Sequence, residues 1–209
     1  MNRHLSLSAL LLVLGFSGFT LGCHDADPTG PPSDFAAHQS LAKDDALTDV
    51  GRGGSQGTIS TEEAEDLVFM REEEKLARDV YAVMHERWGH LVFLNIAQSE
   101  ETHMAALLRL LERYAIPDPV GENGVGVFTN PQLQDLYEQL ITQGNTSLEE
   151  ALRVGVLIEE KDITDIRDAI ARTDNRDIVR VYTNLVWGSD NHLRAFSKVL
   201  VSSLDRASL

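Results

Sequence analysis

Four stretches of this chain carry mainly apolar side chains at alternating spacings of three and four residues, and this pattern constrains the fold more than any other feature. Such spacing lines up side chains on one face of an α-helix, which repeats about every 3.6 residues. The stripes run over residues 67–88, 93–114, 152–170 and 182–203. No long pattern of alternating residues competes with them, so the sequence predicts an all-α fold.

Residues that start or stop helices bound each stripe. They are the capping-box pairs Ser60 with Glu63 and Ser147 with Glu150, the breakers Gly89, Pro117 and Pro119, and a cap at Asp174 or Asn175. The second and third stripes are separated by residues 118–146, where a group of leucines suggests a short helix. We therefore predict a four-helix bundle with a long crossover between helices 2 and 3 that contains a short extra helix.

The N-terminal region has the organisation of an exported protein. Residues 1–22 combine Arg3 with an apolar run and end in small residues before Cys23, as a lipoprotein-type signal peptide does. Residues 23–59 are rich in Pro, Gly, Asp and Ser and are expected to be a flexible tether, and residues 60–205 are expected to form the folded domain. The resemblance to lipoproteins implies a lipid on Cys23 and display at the outer membrane or cell surface, with simple secretion as the alternative.

Composition narrows the possible partners. A formal charge of −15 argues against nucleic acid and anionic membrane surfaces as partners. It suits cations, but taken alone it is better explained by a role in keeping the protein soluble. A single cysteine excludes an internal disulfide framework and metal sites built from several thiolates. A metal site in this chain would therefore use oxygen and nitrogen ligands.

Ionisable residues interrupt each apolar stripe near its middle: Glu74, Glu100 with His103, Glu159, and His192. Burying an unpaired carboxylate costs several kcal/mol, so ionisable residues on all four apolar stripes need a compensating charge. A bound cation would supply it. Glu100 and His103 are three residues apart, so both project from one face, as the ligand pairs of di-iron and di-manganese bundles do. We predict a metal site in the bundle core.

The assignment of two of these ligands depends on the phase of the helix. Glu73 would replace Glu74, and Glu160 would replace Glu159, if either helix were rotated by one position. The apolar stripes favour Glu74 and Glu159. Because residues 72–74 are three consecutive glutamates, at least one of them is expected to face water. For either histidine alone, a hydrogen-bonded core position is the alternative interpretation.

Four segments of the chain resemble an uncharacterised ferritin-like family related to rubrerythrin-type di-iron bundles. They cover residues 71–81, 99–103, 156–162 and 188–196, and the resemblance extends over about residues 60–203. It implies that Tyr81, seven residues after Glu74, forms a hydrogen bond from the core to a metal ligand.

The fourth helix departs from the family pattern. This chain has Ser189 three residues before His192, where the family has a second glutamate. Asp162, three residues after Glu159, is the expected replacement; otherwise the site would be mononuclear or weak at its second position.

The resemblance and the ligand types together suggest a function. Two histidines with three or four carboxylates suit dinuclear iron or manganese, and zinc could also bind. The leading hypothesis is a ferroxidase or peroxide-reducing oxidoreductase of the cell envelope. The alternatives are a non-catalytic metal-binding lipoprotein and a metal-free helical interaction module. A homodimer fits these expectations, whereas the tether and lipid would crowd a closed cage.

Overall fold

The computed structural model describes residues 59–207. The expected signal peptide at residues 1–22, the lipidation site Cys23 and the tether up to residue 58 lie outside the described residues. Export, lipid attachment and the tether therefore stay predictions from the sequence.

The described residues form five α-helices and no β-strand, so the all-α prediction is confirmed. The helices are α1 (Thr61–Trp88), α2 (Leu91–Arg113), α3 (Pro131–Gly144), α4 (Leu148–Ala171) and α5 (Arg176–Ala207). Four of them coincide with the apolar stripes, and α3 is the short helix expected between the second and third stripes. No helix within residues 59–207 has both the length and the apolar character needed to cross a membrane.

The four long helices surround one core. Helix α1 packs against α2 and α4, and α5 also packs against α2 and α4. Within residues 59–207, the backbones of α1 and α5, and those of α2 and α4, do not approach each other closely. These two pairs face each other across the core through side chains such as Tyr81 and Phe196, whose ring centroids lie 5.0 Å apart. Helix α3 lies outside this group and packs on α1 and α4.

The helix starts follow the expected capping chemistry with one difference. Ser60 Oγ accepts from the Glu63 backbone N–H at 3.1 Å, and the Glu63 carboxylate accepts from the Ser60 N–H at 2.8 Å. Ser147 likewise accepts from the Glu150 N–H at 3.1 Å. The Glu150 carboxylate, however, accepts from the Gln143 side chain at 2.8 Å, so the second capping box is only half formed. The end of α3 is close enough to compete for it.

The short connections are also built from specific local contacts. Gly89 adopts φ 67°, a left-handed conformation that glycine enters without steric cost. His90 then caps α2, because its ring nitrogen accepts from the Val92 N–H at 3.2 Å. Before α5, Asn175 accepts from the Asp177 N–H at 3.1 Å, so of the two expected caps Asn175 makes the hydrogen bond.

The core has three layers along the bundle. One apolar cluster is centred on Tyr81, Phe93, Leu152 and Phe196, and it includes residues from α3. A second cluster at the other end contains Leu67, Leu107, Ile166 and Tyr182. On each long helix, the buried polar residues other than Asp79 fall in sequence between the members of these two clusters. The fold therefore encloses a polar layer between two apolar ones.

Charged residues of α1 anchor the connection between α2 and α3. The Arg71 guanidinium donates two hydrogen bonds of 3.1 Å to the Asp118 carboxylate. The Glu72 carboxylate accepts from the backbone N–H groups of Thr129 and Asn130, at 2.5 and 3.1 Å. These N–H groups lie at the start of α3, where a carboxylate also interacts favourably with the helix dipole.

A buried ion pair completes this anchor. The Lys75 ammonium lies 2.5 Å from the Asp79 carboxylate and donates to the Gly124 carbonyl at 2.8 Å. Asp79 also accepts from the Gly126 N–H at 2.9 Å. Both charged side chains are fully buried, and the Phe128 ring lies 4.4 Å from the ammonium.

All three consecutive glutamates at residues 72–74 are buried, with 1–4% of their surface exposed. The expectation that at least one of them faces water is wrong. Each finds a different partner inside the protein: Glu72 binds the start of α3, Glu73 pairs with Lys161 of α4 at 2.6 Å, and Glu74 enters the polar layer.

Candidate metal centre

All six predicted metal ligands lie in the polar layer. Glu74, Glu100 and Glu159 each expose 1% of their surface, Asp162 and His192 expose 5%, and His103 exposes 8%. They come from four different helices: α1 supplies one, α2 two, α4 two and α5 one. Glu160, the alternative to Glu159, is exposed.

Three residues from α1 and α2 form the first triad. The Nδ1 atom of His103 lies 3.2 Å from Glu74 Oε2 and 2.8 Å from Glu100 Oε2. The three side chains each present one ligand atom within 4.8 Å of the others, a grouping able to hold a metal ion. We call this group the His103 triad.

Glu100 also takes part in a second triad with Glu159 of α4 and His192 of α5. The Nδ1 atom of His192 lies 2.9 Å from Glu100 Oε1 and 3.5 Å from Glu159 Oε2. These three residues again offer ligand atoms within 4.8 Å of one another. We call this group the His192 triad. Since Glu100 directs one oxygen to each histidine, it joins the two triads.

Two hydroxyl groups hold the α4 carboxylates. Tyr81 donates a hydrogen bond of 2.6 Å to Glu159 Oε1. Ser189 Oγ lies 2.6 Å from Asp162 Oδ2 and 3.0 Å from the Leu185 carbonyl. Asp162 belongs to neither triad, but it lies close enough to Glu74 and Glu159 for its charge to interact with theirs.

Several buried ligand atoms lack hydrogen bonds within the described residues. Within residues 59–207, Glu74 Oε1 and Asp162 Oδ1 have no partner, and Glu100 Oε2 and His192 Nδ1 have none with hydrogen-bond geometry, although they lie 2.8 and 2.9 Å from an atom of another triad residue. Buried polar atoms are nearly always satisfied in proteins, so four unsatisfied atoms in one layer are unusual. Each belongs to a carboxylate or imidazole, the ligand types that iron, manganese and zinc accept. The donor set therefore fits a bound metal.

The charges of the layer strongly perturb its protonation equilibria. Burial raises the pKa of Glu74 to about 8, although His103 opposes the shift. Burial also raises the pKa of Asp162 well above its usual range, and neighbouring carboxylates add to the effect. Burial opposes ionisation of Glu100 too, but the facing charges of His192 and His103 outweigh it and lower the Glu100 pKa.

The pKa values of the two histidines are raised, whereas burial alone lowers the pKa of a base. Burial alone would lower their pKa values, yet Glu74 and Glu100 raise the pKa of His103 well above 6.5. Glu100 and Glu159 likewise raise the pKa of His192 to about 10. Without metal, the layer therefore holds protons near neutral pH in the positions that cations would occupy.

Two further residues complete the site and were not among the predicted site residues. Ser99 Oγ lies 2.9 Å from Nε2 of His192, on the side of the ring away from the carboxylates. A Cβ atom at Gly188 would lie 2.4 Å from Nε2 of His103, so only glycine leaves room for this ring. The one sequence feature that could have identified Ser99 and Gly188 is that they directly precede Glu100 and Ser189.

The described fold and its layer define an all-α protein with a buried carboxylate and histidine centre. The chain belongs to the family described as "Uncharacterized protein domain (DUF2202)", whose model matches residues 63–205. This match includes all the residues of both triads.

Two comparisons extend this assignment. The chain is 53% identical over 142 residues to "Uncharacterized protein MJ0754" of Methanocaldococcus jannaschii, covering 68% of this chain and 77% of that protein. The crystal structure of hypothetical protein MJ0754 matches with a TM-score of 0.69 and 52% identity, over 69% of this chain and 83% of that one.

A more distant structure shares the fold alone. The crystal structure of a DUF305 fragment from Deinococcus radiodurans matches with a TM-score of 0.52 and 17% identity. This match covers 69% of this chain and 99% of that fragment.

Proposed function

We propose that the chain is a ferritin-like four-helix bundle that binds two metal ions in its polar layer, with α3 lying in the crossover between the second and third long helices. The observation that carries this proposal is the position of Glu100. Its two oxygens lie 2.8 and 2.9 Å from the Nδ1 atoms of two different histidines. A carboxylate shared in this way could supply one oxygen ligand to each of two cations.

Charge balance supports two ions rather than one. Glu74, Glu100, Glu159 and Asp162 are four buried carboxylates, and the two imidazoles coordinate metals in their neutral form. About two divalent cations would neutralise four carboxylates, and thereby remove the penalty of several kcal/mol that each buried charge otherwise carries. Iron or manganese fits this oxygen-rich set best, and zinc could also occupy it.

The proposed activity is oxidoreduction of small substrates: ferrous iron, dioxygen or peroxide. A redox-active dinuclear centre would supply the electron transfer, while the protein supplies ligands and a dry environment. Two surface grooves, of about 480 and 610 Å³, contain no residue of either triad in their walls. Because no residue of either triad exposes more than 8% of its surface, the buried layer is suited to small reactants such as metal ions, dioxygen or peroxide.

The residues around the centre have distinct roles in this proposal. The Tyr81 hydroxyl donates a hydrogen bond to Glu159 Oε1. Glu159 Oε2 is then directed toward His192 and available as a ligand. Ser189 binds one oxygen of Asp162 and leaves the other without a hydrogen bond. We propose that Asp162 thereby replaces the glutamate expected at position 189.

Metal analysis of the full chain tests the proposal. Protein purified without chelators should contain about two iron or manganese ions per chain, as dinuclear bundles do. Glu100→Gln should remove both ions, because Glu100 serves both triads. Glu101→Gln is the matched control, since Glu101 is the exposed neighbour on the same helix. Equal metal content in wild type and Glu100→Gln would contradict the proposed site.

Catalysis requires a separate assay. Iron-loaded protein should oxidise ferrous iron with dioxygen, or consume peroxide, faster than the Glu100→Gln variant does. The second candidate function is metal binding without turnover, which is favoured by Ser189 in place of a carboxylate. Stoichiometric metal without turnover would support that candidate. Metal-free protein whose stability is unchanged by added metal would instead support the interaction module.

The cellular setting is proposed from the sequence alone. The lipoprotein-type pattern at residues 1–22 supports export, and Cys23 is the proposed site of lipid attachment to the cell envelope. Metal ions are the proposed partners, with a homodimer as the proposed assembly and no role in nucleic-acid binding. Metabolic labelling with a fatty acid, compared between wild type and Cys23→Ala, tests the anchor.

A further inference from the structure

The two triads differ in the groups that support their ligands. In the His192 triad, Nε2 of His192 lies 2.9 Å from Ser99 Oγ, and Glu159 accepts from Tyr81 at 2.6 Å. In the His103 triad, Glu74 Oε1 has no hydrogen bond within the described residues. Nε2 of His103 faces the Gly188 backbone, and the side chain is 10% exposed against 6% for His192.

The contact with Ser99 has a chemical consequence for His192. A neutral imidazole carries one proton, and metal binding requires the other nitrogen to be unprotonated. When Nε2–H donates to Ser99 Oγ, the lone pair stays on Nδ1, which faces Glu100 and Glu159. The same hydrogen bond fixes the rotation of the ring.

Such outer hydrogen bonds increase metal affinity, and removing one typically lowers it by about 10- to 100-fold. Two of the three ligands in the His192 triad have such support from a neutral hydroxyl. In the His103 triad, the ion-pair contacts that His103 makes within the described residues are with Glu74 and Glu100. The two proposed metal positions therefore differ in the number of outer hydrogen bonds that support their ligands.

We propose that Ser99 is a positioning residue for His192, and that the His192 triad holds its divalent cation more tightly than the His103 triad and fills first. This inference rests on the proposed dinuclear site. It extends that proposal by assigning an order of filling and a residue that sets it.

Titration of the chelator-treated full chain with Co²⁺, followed by its visible absorption, tests the inference. Wild type should bind in two phases. Ser99→Ala should weaken the tighter phase by about 10- to 100-fold and leave the weaker phase unchanged. Ser99→Thr, which keeps the hydroxyl, should restore most of the affinity.

Two ligand variants identify the phases. Glu159→Gln should remove the tighter phase, whereas Glu74→Gln should remove the weaker one. Ser203→Ala is a matched control, because Ser203 is also a helical serine and bonds only a backbone carbonyl of its own helix, at 3.0 Å. It should leave both phases and the thermal midpoint unchanged.

Each outcome decides the inference. Two phases that Ser99→Ala leaves unchanged, or weakens equally, would overturn the inference while the dinuclear proposal stands. A single bound ion that survives Glu74→Gln and is lost in Glu159→Gln would support the order of filling, and the reverse would overturn it. A wild-type chain that binds no Co²⁺ would overturn both the proposed function and the inference.

Discussion

Replacing Gly188 by alanine should remove one of the two proposed metal positions without unfolding the helices. The new Cβ would lie 2.4 Å from Nε2 and 2.7 Å from Cε1 of His103, whereas nonbonded heavy atoms pack at roughly 3.5–4.0 Å. The ring must therefore retreat by about 1 Å. Metal–ligand distances tolerate deviations of only about 0.2 Å, so His103 should cease to be a ligand.

The retreat of the ring is opposed on its other side. Nδ1 of His103 already lies 3.2 Å from Glu74 Oε2 and 2.8 Å from Glu100 Oε2, which leaves little free space. We expect the variant to lose about one of two ions and about 1–3 kcal/mol of stability through overpacking. The higher helix propensity of alanine would offset up to about 1 kcal/mol of that loss.

Metal content and metal-free denaturation of the same preparations measure these two effects separately. Gly144→Ala is the matched control, because its Cβ would lie 2.6 Å from Sδ of Met84. Met84 is ten residues beyond Glu74 on α1, or roughly 15 Å along the helix. The control should lose stability but keep its metal. Wild-type metal stoichiometry and affinity in Gly188→Ala would refute the reasoning, since the ring could then move without cost to binding.

Three further predictions follow from other contacts. Asp79→Ala should destabilise metal-free protein by about 3–5 kcal/mol in urea denaturation, because it leaves the Lys75 ammonium buried and unpaired; a double variant with Lys75→Met that is as unstable would contradict this. Metal affinity should rise with pH from 6 to 8, because both ligand histidines and Glu74, with its pKa raised to about 8, must release protons; pH-independent Co²⁺ binding would disagree. Asp162→Ser should weaken metal binding and added Ser189→Glu should restore it, as their side chains lie 2.6 Å apart; metal analysis of both variants checks the rescue.

The helices were predictable because helical periodicity is a local property of the sequence. The capping pair Ser60 and Glu63 gave the start of α1 for the same reason. The half-formed second capping box could not be predicted, because Gln143 reaches Glu150 only after α3 has packed beside α4. Local rules identify a possible contact, and the tertiary neighbours decide whether it forms.

The burial of the candidate ligands could be predicted from their phase on each helix, which favoured Glu74 over Glu73 for the polar layer. The run of three consecutive glutamates at residues 72–74 led to the expectation that at least one of them faces water. That expectation was wrong because it assumed that α1 is buried only on the side facing the other long helices. Helix α3 and the connection before it cover a second side of α1. The Glu72 carboxylate is covered by Thr129, which lies 57 residues away in the sequence.

The acidic run of α1 gives a reason to expect a cation in the polar layer. The Glu72 carboxylate accepts two backbone N–H groups, Glu73 pairs with Lys161, and Asp79 pairs with Lys75. Glu74 is buried as deeply as these residues but faces only His103, itself shared with a second carboxylate. The sequence thus supplies a fixed positive or N–H partner for each neighbouring acid and leaves Glu74 without one. A carboxylate left in this way among three others needs an exchangeable positive partner, because burial disfavours its charged form. Protons on Glu74 and the two histidines supply that charge near neutral pH in the metal-free protein, and a metal ion would replace them.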